Sequence, residues 1–84
     1  MNRIGVVAIV VVGSRDISVS IQNILSEYGD IIAGRMGVPF KNKGISTIAL
    51  IVDGTTERIS ALTGKLGRLS GVTVKSTLTN LEIE

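Results

Sequence analysis

The stretch TERISALTGKLGRLSGVTVK, residues 56–75, predicts one helix, one tight turn and the start of one strand. Four apolar residues recur in it at helical spacing and form a single stripe. They are Ile59, Leu62, Leu66 and Leu69. An isolated helix of this length is marginal in water, so the stripe has to pack on an apolar surface that the rest of the chain provides.

A second stripe, made of small residues, lies beside the apolar one. Its members are Ser60, Thr63, Gly64 and Gly67. Glycine inside a helix costs about 1 kcal/mol relative to alanine, so two glycines predict that a ligand or another backbone packs closely there. The sequence leaves one alternative open: the helix frays after Leu62 or Leu66, and the glycines form its end.

The apolar surface is predicted to be a four-stranded sheet. Residues 4–12 and 45–53 are apolar on both faces, which is typical of central strands. Residues 31–38 and 72–79 carry more polar side chains, which favours edge positions, and Pro39 closes the first of these two strands.

Helix boundaries can be predicted from capping residues. Apolar residues at helical spacing within residues 17–28 predict the first helix, with Gly29 as a left-handed C-terminal cap. Ser14 or Asp16 could cap its N-terminus. Thr55 is the predicted N-cap of the second helix.

The element order is therefore βαββαβ, with the most apolar strands first and third. This pattern predicts an α+β, ferredoxin-like fold: an antiparallel sheet of order 4-1-3-2 with two helices on one face. The other face would expose apolar side chains of both central strands. Such a surface predicts a homo-oligomer, a dimer or tetramer that associates through the open sheet face.

Composition excludes several classes of function. The chain has nine basic and seven acidic residues, and neither His nor Cys. It therefore lacks the usual transition-metal ligands, a thiol nucleophile and a near-neutral acid–base group, so no catalytic residue, no metal and no cofactor is predicted. RNA binding through sheet aromatics is disfavoured because Tyr28 and Phe40 fall outside the predicted strands. An acylphosphatase-like hydrolase, using Arg15 and Asn23, is the weakest alternative.

The N-terminal segment allows two interpretations. Arg3, the apolar run 4–12 and the pair Gly13-Ser14 could form a short signal peptide. The run is rich in Val and Ile, is bounded by turn residues and completes the sheet, which favours a strand. It is too short to span a membrane. We therefore expect a cytoplasmic protein with no membrane partner.

A few polar positions could form a small ligand site. They are Gly13, Ser14 and Asp16 at the start of the first helix, Arg35 and Gly37 on an edge strand, and Lys65 on the second helix. Backbone amides at a helix start can hold small anions, and basic side chains can pair with them. The alternative is an ordinary turn with a cap for the first group and solvated surface for the basic residues.

Four segments resemble a known family. They are GRMGVP at 34–39, GIS at 44–46, ALTGKLGRL at 61–69 and GVTVK at 71–75. They are similar to the iron-only hydrogenase system regulators, small ACT-like proteins of ferredoxin-like fold.

The resemblance implies that residues 1–84 form a single ACT-like regulatory domain without catalytic role. Such a domain would be cytoplasmic and oligomeric, with a small-molecule effector as one expected partner, and would act in transcriptional regulation of an iron-only hydrogenase system. We expect no direct contact with nucleic acid, because the sensor-like fold uses the whole chain. The related sensing domain of the nickel-responsive repressor binds metal through His and Cys, which this sequence lacks.

Overall fold

The computed structural model of the chain describes residues 1–13 and 15–83, with the backbone alone for residues 82 and 83. Its helices and strands are β1 (Asn2–Val11), α1 (Arg15–Glu27), β2 (Ile32–Phe40), β3 (Ile45–Gly54), α2 (Thr56–Gly67) and β4 (Val72–Ile83), with 3-10 turns at Gly29–Ile31 and Lys41–Lys43. The strands form one antiparallel sheet of order β2-β3-β1-β4. The predicted fold class and strand order are confirmed.

The core lies between the sheet and the two helices. Along β1, Val7 and Ile9 are at most 1% exposed, whereas Val6 before them and Val10 after them are exposed. This alternation follows from the pleat, which points successive side chains to opposite faces. The helices bury their apolar stripes against the same sheet face. Their buried members are Ile21 and Leu25 in α1 and Ile59, Leu62 and Leu66 in α2.

The second helix begins as predicted, continues past Leu62 and ends one residue after Leu66, the later of the two points at which the sequence allowed it to fray. The Arg58 backbone amide donates to Thr55 Oγ1 over 3.2 Å, which confirms Thr55 as the N-cap. Because α2 runs to Gly67, Gly64 lies inside the helix and Gly67 is its last residue. Leu69 lies beyond the helix but still packs partly against the core.

Two capping predictions for the first helix are wrong. Positive φ among the described residues occurs at Gly44 and Gly71, and Gly29 is not left-handed. The chain instead tightens after Glu27 into a 3-10 turn, in which the Ile31 amide donates to the Tyr28 carbonyl oxygen over 3.0 Å. Asp16 is not a cap either, because α1 already begins at Arg15 and places Asp16 in its first turn. Ser14, the other candidate, lies outside the described residues.

Candidate functional site

The sheet face opposite the helices forms a continuous apolar surface, which we call the open face. Cross-strand pairing arranges it in three rows. The rows are Gly34–Ile51–Val6–Thr77, Met36–Ala49–Ala8–Lys75 and Val38–Thr47–Val10–Thr73, from β2 through β3 and β1 to β4. Paired residues on adjacent strands share a face, so each row is a line of neighbouring side chains.

Large apolar side chains on the open face are exposed to solvent. The exposed fractions are 44% for Ile51, 46% for Val6 and 64% for Met36. Both helices pack on the opposite face, so no other element covers these residues in the described part of the chain. Threonines and Lys75 border the apolar rows along β4. An apolar centre with a polar border is typical of an association surface.

One buried oxygen atom lies at an end of the open face. Asp53 pairs with Ile4 in register, two residues beyond Ile51 on β3. Its Oδ1 is buried and has no hydrogen-bond partner among the described residues. Buried carboxylate oxygens in folded proteins usually accept a hydrogen bond, and none of the described residues donates one to this atom.

On the helix side, the ring of Tyr28 holds the end of α1 against α2. The ring is buried, and two cations of α2 lie over it: Arg58 Cζ at 5.1 Å and Lys65 Nζ at 5.3 Å from its centroid. Each cation also pairs with a carboxylate, Arg58 with both oxygens of Asp30 at 2.9 Å and Lys65 with both oxygens of Glu27 at 3.0 Å. We call these five residues the Tyr28 cluster. They join the helices through cation–π contacts and ion pairs.

The ion pairs of the Tyr28 cluster shift the pKa values of their members. Hydrogen bonds from Arg58 hold the pKa of Asp30 below its ordinary value of 3.8. The hydrogen bonds to Glu27 raise the pKa of Lys65 above its ordinary value of 10.5. Both groups are exposed to solvent, so their contribution to stability is small.

The lowered pKa of Asp30 predicts a loss of stability in acid. Because the folded-state pKa lies below the unfolded value of about 3.8, the ion pair contributes fully above that pH, and its contribution disappears as the pH falls through the folded pKa. The melting temperature of Asp30→Asn should therefore fall less than that of the wild type between about pH 6 and pH 3. Asp16→Asn, at the opposite end of α1, is the control. An identical acid dependence in Asp30→Asn and wild type would contradict the prediction.

The structure does not bring the predicted ligand residues together in one protomer. Gly13 and Asp16 lie exposed around the start of α1. Arg35 on β2 donates to Gln22 Oε1 in the middle of α1 over 2.7 Å. Lys65 contacts Glu27 at the end of α1, about 16 Å along the helix axis from Asp16 at 1.5 Å per residue.

The two remaining ligand candidates are Gly37 and Ser14. Gly37 lies on the edge strand β2 and pairs with Ile48 of β3. Ser14 lies outside the described residues. Lys65 belongs to the Tyr28 cluster through its contacts with Glu27 and Tyr28. Arg35 links β2 to α1 through its hydrogen bond to Gln22. A ligand site built from these residues stays a prediction.

The stripe of small residues on α2 faces solvent. A Cβ atom built on Gly64 or Gly67 would meet nothing within 4 Å. Ser60 is exposed, and Thr63 is half-buried and donates its hydroxyl to the Ser60 carbonyl oxygen over 3.2 Å. No described element of the protomer therefore packs closely on this stripe, and a close contact would require a second molecule.

Substitution of Gly64 tests whether a second molecule makes that contact. Gly64→Ala should raise the free energy of unfolding by about 1 kcal/mol, because alanine is the better helix former and the position is open. Gly64→Leu should disturb assembly or binding if another molecule packs there. Melting temperature and oligomeric state of both variants, measured side by side, check this. Higher stability in both variants with unchanged assembly would show that the stripe is ordinary surface.

The acylphosphatase-like alternative finds no support in the arrangement of Arg15 and Asn23. Arg15 begins α1 and Asn23 lies eight residues further on the same helix, so they are about 12 Å apart along its axis and form no common anion site. No cluster of three or more potential metal ligands occurs among His, Cys, Asp and Glu of the described residues. None of the described helices is long and apolar enough to cross a membrane.

Sequence reasoning missed the Tyr28 cluster entirely. Its charged residues come from α1, the following 3-10 turn and α2, separated by 28 and 38 positions for the two ion pairs. No local pattern could have paired them. The one usable signal was Tyr28 itself, an aromatic residue at the end of the apolar stripe of α1.

Solved structures define the class of protein. The ACT domain from GTP pyrophosphokinase of Chlorobium tepidum is 22% identical, with 92% of this chain and 100% of that chain covered and a TM-score of 0.77. An ACT domain protein from Streptococcus pneumoniae is 12% identical, with 90% and 89% covered and a TM-score of 0.59. These likenesses show the fold, which is that of an ACT-like domain.

A more similar structure and a family match identify the family. The uncharacterized protein TM1266 from Thermotoga maritima is 29% identical, with 93% of this chain and 98% of that chain covered and a TM-score of 0.91. Residues 3–76 match the TM1266-like family, which is provisionally described as an iron-only hydrogenase system regulator. The chain belongs to this family, which confirms the resemblance seen in the sequence. No curated protein matches the chain.

Proposed function

We propose that this chain is a non-catalytic regulatory domain of an iron-only hydrogenase system, and that it works as a homo-oligomer joined through its open face. The observation that carries the proposal is the exposed apolar surface of the two central strands. Burial of apolar surface is the main favourable term in most protein association, at about 25 cal/mol per Å². A second copy of the open face offers a surface of matching chemistry.

The arrangement of large and small side chains on the open face supports sheet-to-sheet packing. Its middle row contains Ala8 and Ala49, which are smaller than Val6 and Ile51 in the neighbouring row. The middle row is therefore a shallow groove. Met36 at the end of this groove is flexible enough to fill gaps in a contact between two identical surfaces. A two-fold axis through the groove would place the same residues of both copies in contact, as a closed dimer requires.

Regulation, in this proposal, is exerted through protein contacts in the cytoplasm, and transcription is the process that we infer to be controlled. Support comes from the description of the family and from the ACT-like fold. An effector is part of this proposal, and Gly13, Asp16 and Arg35 are candidates to contact it. Asp16 and Arg35 lie on the helix side of the sheet, away from the open face.

A structural assembly module without ligand is the main alternative. A thermal-shift screen with amino acids and nucleotides separates it from the ligand-sensing domain, because a ligand that binds only the folded state raises the melting temperature. A specific, saturable increase supports sensing. No increase with any compound, from a chain that still forms oligomers, favours the assembly module. Turnover of an acyl phosphate would instead support a hydrolase.

A further inference from the structure

The turn between β2 and β3 forms a groove that none of the functions above uses. The groove has a volume of about 390 Å³ and is lined by Pro39, Phe40, Lys41, Asn42 and Lys43. We call these five residues the hairpin site. Its volume falls within the range of small-ligand sites, which is roughly 300–1,000 Å³. The chain turns back through Gly44, whose φ of 65° is left-handed.

The side chains of the hairpin site are exposed and have no polar partners among the described residues. Phe40 is 44% exposed although it is aromatic. Lys41, Asn42 and Lys43 are also exposed, and in the described part of the chain their side chains make no hydrogen bond or ion pair. By contrast, Arg58 and Lys65 are paired with carboxylates. The two lysines of the hairpin therefore remain available to an anion.

The topology adds further positive charge at the same end of the sheet. The β2–β3 turn, the start of α1 and the end of α2 all lie at the end where β1 finishes. The connecting segments 12–16, 40–45 and 68–72 together contain four basic residues and one acidic residue. The acidic residues Glu27, Asp30 and Asp53 lie at the opposite end, where Lys65 and Arg58 pair with the first two. An anion is therefore attracted toward the hairpin end of the molecule.

We propose that the hairpin site binds a free nucleoside phosphate. The base would stack on Phe40, because aromatic rings stack favourably on nucleobases, and Lys41 and Lys43 would pair with the phosphate oxygens. The Asn42 amide offers both a donor and an acceptor to the edge of the base. An acidic peptide would use the lysines, but its charge alone supplies nothing that stacks on Phe40 and pairs with Asn42. The inference rests on the proposed regulatory function, for which it names the class of effector.

Calorimetric titration of the oligomer with ATP, adenosine and inorganic tripolyphosphate tests the proposal. ATP should bind, and adenosine and tripolyphosphate should each bind at least about tenfold more weakly, because each lacks one of the two recognised parts. Phe40→Ala should weaken ATP binding by about tenfold or more. The double substitution of Lys41→Ala with Lys43→Ala should weaken it similarly and should reduce its dependence on salt.

A control for Phe40 comes from β4, at the opposite edge of the sheet. Leu81→Ala removes an apolar side chain that is 64% exposed, against 44% for Phe40, and should leave ATP affinity unchanged. Equal binding of tripolyphosphate and ATP, or a single-stranded oligonucleotide or acidic peptide that binds while ATP does not, would overturn the proposal. Light scattering of the same samples keeps the two proposals separate. Absence of ATP binding by an intact oligomer contradicts the hairpin site alone, whereas a monomer that binds ATP contradicts the oligomer alone.

Discussion

Ile51→Lys is expected to convert the oligomer into single protomers without unfolding them. Ile51 lies in the first row of the open face, between Val6 and Gly34, and is 44% exposed in the protomer. A lysine there stays hydrated in the protomer but would be buried without a partner in a sheet-to-sheet dimer. Burying an unpaired charge costs several kcal/mol, and a two-fold dimer would bury two of them. The dissociation constant should rise by at least about a hundredfold.

The control for this prediction is Val19→Lys. Val19 is 52% exposed, on α1, so the substitution adds the same charge at a comparably exposed apolar residue away from the open face. Light scattering should give the protomer mass for Ile51→Lys and the wild-type mass for Val19→Lys, with circular dichroism unchanged in both. An Ile51→Lys variant that assembles as well as the wild type would place the interface elsewhere.

Gly71→Ala is expected to cause the largest loss of stability of any conservative substitution considered for this chain. A Cβ atom at this position would lie 2.1 Å from the Val12 carbonyl oxygen, and the φ of 80° is left-handed. The Val12 amide also donates to the Gly71 carbonyl oxygen over 2.8 Å. Strain of about 1–2 kcal/mol and loss of a hydrogen bond worth about 1 kcal/mol together predict a decrease of about 3 kcal/mol.

Gly44→Ala isolates the contribution of the clash at Gly71. Gly44 has a φ of 65°, but a Cβ atom there would meet nothing within 4 Å. Only the backbone strain remains, so the expected loss is about 1 kcal/mol. Thermal unfolding at one protein concentration should give a melting temperature lower by roughly 4–8 °C for Gly44→Ala and by about three times as much for Gly71→Ala. Equal losses in the two variants would show that the turn after α2 adjusts to a side chain.

The fold could be predicted because the spacing and number of apolar residues in each helix and strand reflect how that element packs in or on the sheet. Residues 4–12 and 45–53 are apolar at almost every position, which is typical of central strands. Thr55 was predictable as a cap because its role is local. Gly29 was not, because the requirement to bring Ile31 into the core favours a 3-10 turn over the left-handed cap that glycine usually provides.

The candidate sites were less predictable because they depend on contacts between distant segments. From the sequence, Lys65 could be interpreted as a solvated surface residue or as an anion ligand. Only the packing of α1 against α2 places it over the Tyr28 ring and beside Glu27. Arg35 likewise reaches Gln22 from a neighbouring element. The apolar side chains of the open face were predictable as a surface, since alternation along β1 and β3 assigns each residue to one side of the sheet.

Static light scattering of the unmodified chain at micromolar concentration tests the role of the open face most directly. The protomer has a mass of 8.8 kDa. An oligomer joined through the open face predicts a mass of at least twice that value, which Ile51→Lys reduces to the mass of one protomer. A wild-type mass near 8.8 kDa would contradict the proposed function, because the apolar rows of the two central strands would then face water in the working protein.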